Sequence, residues 1–193
     1  FFGVRVPPPP LLDELFKYYE KVWLSHGYQS AEEEAKYRAY GWQILSKFWE
    51  IYSTDFRLPV AVEWKFYIDI DGVKLRGFID RIDKLDSGGL SIVDYKTSQK
   101  PFTRDYLEDD LQLTLYQLAV QKKLCSPVEK LTLYHLRSNT PYSCASRDKT
   151  QLEAASRLVL EVAEKITQNS FPAVENQYCP CDFPEHCPYY RHQ

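Results

Sequence analysis

Methionine is absent from all 193 residues, and the chain opens abruptly on Phe-Phe-Gly. It is therefore expected to be an N-terminally incomplete piece of a longer protein. No run of 18 apolar residues occurs and the start does not resemble a signal, which argues against a membrane-spanning helix and for a soluble, cytoplasmic protein. Excess positive charge is missing too: 24 Lys and Arg stand against 27 Asp and Glu, a net charge of −3. Such a balance gives no global footprint for nucleic acid, so any such contact has to come from bound ions and a local basic rim. There is no internal repeat, and no low-complexity stretch beyond Pro7 to Pro10. With 44% hydrophobic and 26% charged residues, the chain is expected to form a single domain over 1–193 with one full core.

The N-terminal third reads as helical. Four prolines make an extended connector. Leu11, Leu15, Tyr18, Tyr19, Val22 and Trp23 then recur at helical spacing over Leu11 to Leu24. Ser30-Ala-Glu-Glu33 is a capping box that opens a helix to about Tyr52, with Tyr37, Tyr40, Ile44, Leu45, Phe48 and Tyr52 expected in the core and Trp42 and Trp49 covering neighbours. His26, between the two helices, reads as an exposed loop residue.

Strand signals follow. Val60, Val62, Trp64, Phe66, Ile68 and Ile70 alternate with Glu63, Lys65 and Asp69, and Asp71-Gly72 is a two-residue hairpin turn. Val73 to Ile79 returns, and a second turn at Asp86-Ser-Gly-Gly89 leads into Leu90 to Val93. Residues 60–97 are thus expected to form a three-stranded antiparallel meander. Tyr106 to Leu124 reads as one helix with acidic residues in its first turn and a buried stripe of Leu111, Leu115 and Leu118. Leu131 to Leu136 reads as a fourth strand that could lie parallel to a central one. Lys149 to Asn169 is a last helix burying Leu152, Ala155, Leu158, Val159, Val162 and Ile166. His135 reads as a satisfied core or edge histidine, and Cys125 and Cys144 as buried or incidental thiols.

Chemistry concentrates where the meander ends. Asp80 lies on one strand, and Asp94 and Lys96, two apart, project together from its neighbour. Two carboxylates and an amine at one point suit a divalent metal, since Mg²⁺ takes hard oxygen ligands and keeps several waters. Phosphodiester hydrolysis needs an activated water and neutralised charge at phosphorus. The backbone carbonyl of Tyr95 could add an oxygen, and Lys96 could orient water or stabilise charge. The plain alternative is a set of surface ion pairs, Asp80 or Asp83 with Arg81 and Asp94 with Lys96. Against it, Asp94 follows the apolar Ile92-Val93, where charge is expensive without a task. Glu63 is either a solvent-facing carboxylate or a third acid beside the metal. Gln112 and Tyr116, four apart, share a helix face. Lys65, Lys74, Arg76, Lys100 and Arg104 are candidate phosphate contacts.

Three segments, Gly77-Phe-Ile-Asp80-Arg-Ile-Asp83, Ile92-Val-Asp94-Tyr-Lys96-Thr97 and Gln112-Leu-Thr-Leu-Tyr116, together resemble the RecB-type branch of the PD-(D/E)XK nuclease superfamily. That branch includes nuclease domains of recombination helicases and CRISPR-associated exonucleases. The resemblance implies a restriction-endonuclease-like α/β fold, a mixed central sheet of an antiparallel meander plus a later strand, flanked by helices. It implies a Mg²⁺- or Mn²⁺-dependent exonuclease acting on single-stranded or unwound DNA in recombination, repair or CRISPR-type processing, with a helicase domain or subunit as partner. Asp80 and Asp94 would be metal ligands, Lys96 the catalytic lysine, and Gln112 and Tyr116 the helix motif beside the site, with Glu63 as a further acid. Family members carry a histidine on an N-terminal helix; no such pattern is visible, and His26 does not take that role. The alternative is a catalytically inert nucleic-acid-binding or scaffold module of a helicase–nuclease complex.

The segment 172–193 is expected to be a cysteine-bearing tail of the same domain. Its Cys179, Cys181 and Cys187 suit a soft-metal site. Many relatives close an iron–sulfur cluster with one N-terminal and three C-terminal cysteines, which implies a [4Fe-4S] cluster in the intact protein. Zinc with His186 or His192 is the alternative.

Overall fold

The meander and the later parallel strand form as expected, and one further strand joins them. A computed structural model of the chain describes residues 8–54 and 56–172. Cys179, Cys181, Cys187 and the two tail histidines lie outside those residues. Among the described residues the elements run α1 (Leu12–Val22), α2 (Ala31–Thr54), β1 (Ala61–Ile70), β2 (Val73–Lys84), β3 (Leu90–Lys96), α3 (Arg104–Glu108), α4 (Leu111–Leu124), β4 (Val128–His135), β5 (Thr140–Ala145) and α5 (Lys149–Thr167). The five strands form one sheet in chain order. All neighbours are antiparallel except β3 and β4, which the α3–α4 crossover makes parallel. This mixed sheet flanked by helices is the restriction-endonuclease-like α/β fold.

The β1–β2 turn forms because Asp71 and Gly72 both take positive φ, 47° and 91°, the backbone a two-residue turn of this hand requires. From Lys65 to the turn, alternation holds: Phe66, Ile68 and Ile70 are buried while Lys65, Tyr67 and Asp69 are exposed. It then fails on the Asp80 side. Ile79 and Ile82 are three apart, yet both are 0% exposed, so β2 resets its phase between them. The partner strand resets opposite, where Glu63 sits at φ 47° between the pairs Val62↔Arg81 and Trp64↔Ile79. The expected inward-facing Val60 and Val62 are consequently exposed. A period-two reading cannot see such a reset.

α4 lies across one face of the sheet. Its buried residues are Leu113, Thr114, Tyr116, Gln117, Leu118, Ala119 and Val120, and its apolar ones join Ile82, Ile92, Leu131 and Leu133 in the core. Of the expected stripe, Leu118 is buried, whereas Leu111 is exposed and Leu115 half-buried. The cause is a break in the expected continuous helix. Thr103 caps α3, and Asp110 caps α4, its Oδ1 accepting from Leu113 N at 2.7 Å, so the second helix starts afresh with a new rotational phase. Arg147 fastens this corner: Nη2 donates to Leu107 O (2.6 Å), Nε to Thr114 Oγ1 (3.1 Å), and its backbone N–H to Gln117 Oε1 (2.7 Å).

α2 reaches the opposite face through an aromatic cluster. Phe48 packs edge-on against Tyr95 and Tyr134, with Tyr52 beside them. No residue of α1 or α2 is fully buried. The expected core positions Tyr37 and Tyr40 are exposed, as are Leu11, Tyr18 and Val22 of the first helix. Trp42 and Trp49 do cover neighbours: Trp42 meets Phe16 with centroids 4.7 Å apart, and Trp49 Nε1 donates to Pro10 O. On α5, Ala155 is buried and Leu152 and Val159 pack on the core, whereas Leu158, Val162 and Ile166 are exposed. The last strand, β5, carries Pro141 and polar residues on an edge, a pattern too weak to read as strand in isolation.

Candidate metal-dependent active site

The antiparallel register of β2 and β3 places Asp80 opposite Asp94. Paired residues Arg81↔Val93 and Ile82↔Ile92 make those aspartates the next pair along, and opposed residues on adjacent strands face the same side. Asp80 Oδ2 accepts from the Tyr95 backbone N–H at 2.8 Å, which fixes its carboxylate across the end of the ladder. Asp94 is 2% exposed. Its Oδ2 is buried, and Lys96 Nζ stands 2.6 Å away in ionic contact. Lys96 Nζ also donates to Gln112 Oε1 (2.6 Å), and Gln112 Nε2 donates to Tyr116 Oη (2.6 Å). Five residues from β2, β3 and α4 thus form one connected set: Asp80, Asp94, Lys96, Gln112 and Tyr116.

Electrostatics at this point are uneven. Burial pushes the Asp94 carboxyl above its ordinary value; Lys96 opposes this, and Asp80 and Asp110 add to it. For Lys96, burial works against the ammonium, but the Asp94 carboxylate and then Asp110 outweigh it and hold its pKa above the ordinary value. Two facing carboxylates, one of them buried, have a single lysine to balance them, and a divalent cation fits the remaining deficit. The donors are hard oxygens, as Mg²⁺ or Mn²⁺ prefers. Among the described residues no group of three His, Cys, Asp or Glu side chains is gathered around a metal position.

The other candidates are scattered. Glu63 is exposed, opposite Asp80 in register. Arg81 Nε donates to both Asp83 oxygens at 2.9 Å, the pairing expected within that motif. His135 is 3% exposed and saturated, Nδ1 with Ser138 Oγ and Nε2 with Ser98 O, and His26 is exposed. Lys65 and Lys100 are exposed, and Arg104 is engaged by Glu108. Cys125 is exposed rather than buried. Asp110, one of the acidic residues near the start of the helix, extends its charge to both Asp94 and Lys96. Its position two residues before Gln112 was the available signal. An open cavity of about 490 Å³ adjoins the set, with Gln112 and Tyr116 in its wall.

The chain belongs to the PD-(D/E)XK nuclease superfamily, whose family model matches residues 4–191. Among characterised sequences it is similar to the Gene 69 protein of Mycobacterium phage D29, at 32% identity over 149 residues, covering 74% of this chain and 52% of that protein. The Gene 69 protein of Mycobacterium phage L5 is similar at 31% over 141 residues, covering 68% and 45%. The chain thus spans about half the length of these relatives. A crystal structure from Eubacterium rectale, of a protein provisionally termed an exonuclease, aligns with TM-score 0.48 and 12% identity over 88% of this chain and 66% of that one. No described helix is long and apolar enough to cross a membrane.

Proposed function

We propose that this chain is a RecB-like, metal-dependent DNA exonuclease domain that cuts single strands or unwound ends. The observation that carries the reading is the facing pair Asp80 and Asp94, the latter buried beside the Lys96 ammonium. Membership of a nuclease superfamily supports hydrolysis of phosphodiesters with DNA as substrate. Asp80, Asp94 and the Tyr95 carbonyl would hold Mg²⁺ or Mn²⁺, with Glu63 as a further acid. When bound, the metal supplies Lewis acidity at the phosphate and a more acidic water. Lys96, kept charged by Asp94, places a cation where negative charge grows at phosphorus. Gln112 holds that ammonium in line, and Tyr116 orients the amide of Gln112.

The same reading covers residues 1–193 as one domain, with Cys179, Cys181 and Cys187 contributing to a [4Fe-4S] cluster in the intact protein and a helicase domain or subunit delivering unwound DNA. Iron and sulfide content after anaerobic purification tests the cluster. One observation favours a second reading. Only two carboxylates face the site among the described residues, as suits an inert nucleic-acid-binding or scaffold module.

One experiment separates them: cleavage of end-labelled single-stranded DNA with Mn²⁺, Mg²⁺ or EDTA, comparing the chain with Lys96→Ala. Metal-dependent products that fall about 10²–10³-fold in the variant are expected. Equal products from both proteins, or none from either, would sink the exonuclease reading.

A further inference from the structure

The outer face of the β1–β2 hairpin is an alternation of rings and cations. Register pairs Lys65 with Phe78, Tyr67 with Arg76, and Asp69 with Lys74, and opposed residues on antiparallel strands share a face. All six are exposed. Tyr67 is 52% exposed and Phe78 54%, large values for aromatic rings on a sheet whose other side is core. The intervening residues Phe66, Ile68 and Ile70 face that core, so the two rings are outside by strand phase and cannot turn inward without a register slip.

The cations of this face are uncommitted. Among the described residues, Lys65, Lys74 and Arg76 enter no ion pair, in contrast to Arg38, Arg57, Arg81 and Arg104. Lys65 Nζ stands 6.0 Å from the Phe78 ring centroid, at the limit of cation–π attraction. The acid on the face, Asp69, turns its Oδ1 to the Gly72 N–H at 2.8 Å and serves the turn.

We propose that this hairpin face is a stacking platform for single-stranded DNA, with Tyr67 and Phe78 taking unpaired bases and Lys65, Lys74 and Arg76 holding the phosphates between them. The inference rests on the nuclease reading only in taking DNA as the polyanion; the binding chemistry stands apart from it. A protein or lipid partner would account for the two rings or for the cations. Alternating rings and cations along one line match a polyanion that carries a flat apolar group at every repeat. Duplex DNA keeps its bases stacked inside and offers the rings nothing, so the platform selects unpaired strands.

The test is fluorescence anisotropy of a labelled oligothymidylate and of a blunt duplex, in EDTA so that nothing is cut. Tyr67→Ala/Phe78→Ala is expected to weaken oligothymidylate binding at least about tenfold, as loss of base–aromatic stacking predicts, and to leave the duplex affinity where it was. Tyr67→Trp/Phe78→Trp is expected to restore the binding, which excludes misfolding as the cause. Lys65→Gln/Lys74→Gln/Arg76→Gln is expected to flatten the salt dependence of log K by about 2, near 0.7 per phosphate contact on a single strand. Oligothymidylate affinity within twofold of wild type in both the double-alanine and the triple-glutamine variant overturns the platform, as does equal loss for strand and duplex, or no binding by the wild type. Metal-dependent cleavage is scored separately. A cleaving protein with an indifferent hairpin sinks this inference alone, and a binding protein that never cleaves sinks the nuclease reading alone.

Discussion

Asp94 is buried at a cost that its ion pair with Lys96 only partly offsets, and its raised pKa, set first by burial, states that balance. A carboxyl bound more tightly to its proton in the fold stabilises at low pH, and that contribution is lost as pH rises through the folded pKa. At neutral pH the ionised group is therefore a burden. Asp94→Asn should change stability by no more than about 1 kcal/mol, relief of the buried charge being offset by the partner Lys96 loses, while abolishing metal-dependent cleavage; urea denaturation and the DNA assay measure the two effects. A urea midpoint lowered by far more than that would show that Asp94 is structural. Glu63 offers a second residue-scale test. Its φ of 47° strains a residue with a Cβ by about 1–2 kcal/mol. Glu63→Gly should hold or gain up to about 1 kcal/mol of stability, and Glu63→Val should lose about 2 kcal/mol. If Glu63→Gly also cleaves at the wild-type rate, Glu63 sets the strand phase that aims Asp80 and is no ligand.

Between elements, two joints position the candidate site. Arg147 joins α3, α4 and the end of β5 through neutral acceptors, its Nη1 also reaching Cys144 Sγ at 3.3 Å. A lysine cannot span those acceptors. Arg147→Lys should cost about 2–3 kcal/mol and slow cleavage, because α4 then no longer holds Gln112 against Lys96; thermal denaturation and the DNA assay together check this. The second joint is the ring cluster tying α2 to the sheet. Burial, with the Tyr95 charge adding to it, pushes the Tyr134 hydroxyl up to about 12. The stability this phenol contributes is fully present below its unfolded value near 10 and lost as pH rises through the folded one. Alkaline unfolding followed by tyrosinate absorbance should therefore steepen between those values, and Tyr134→Phe should remove that part of the dependence.

Across the whole molecule, the sheet divides the work. One face carries α4 and the core, the other takes α2's rings over β3 and β4, and the β1–β2 hairpin extends beyond that cover. A metal bound at Asp80 and Asp94 engages only the folded chain. Mn²⁺ at 100 times its Kd should then stabilise the chain by about 2.7 kcal/mol. The Asp80→Asn/Asp94→Asn variant should show no such shift in a thermal melt with and without EDTA. A shift that survives the double variant would place the ion elsewhere.

Much of this was written locally. The Asp71-Gly72 turn, the spacing of Asp94 and Lys96, and the four-residue step from Gln112 to Tyr116 are determined by chain chemistry and strand or helix period. So were the meander, the later parallel strand and the cluster Asp80, Asp94, Lys96, Gln112 and Tyr116, since register follows from the turns that connect the strands. Tertiary structure alone decided the phase reset at Glu63 and Asp80 and the exposure of Tyr37, Tyr40 and Val62. Each depends on which neighbour fills the space beside a residue, and sequence periodicity carries the spacing of side chains but not the identity of what they meet.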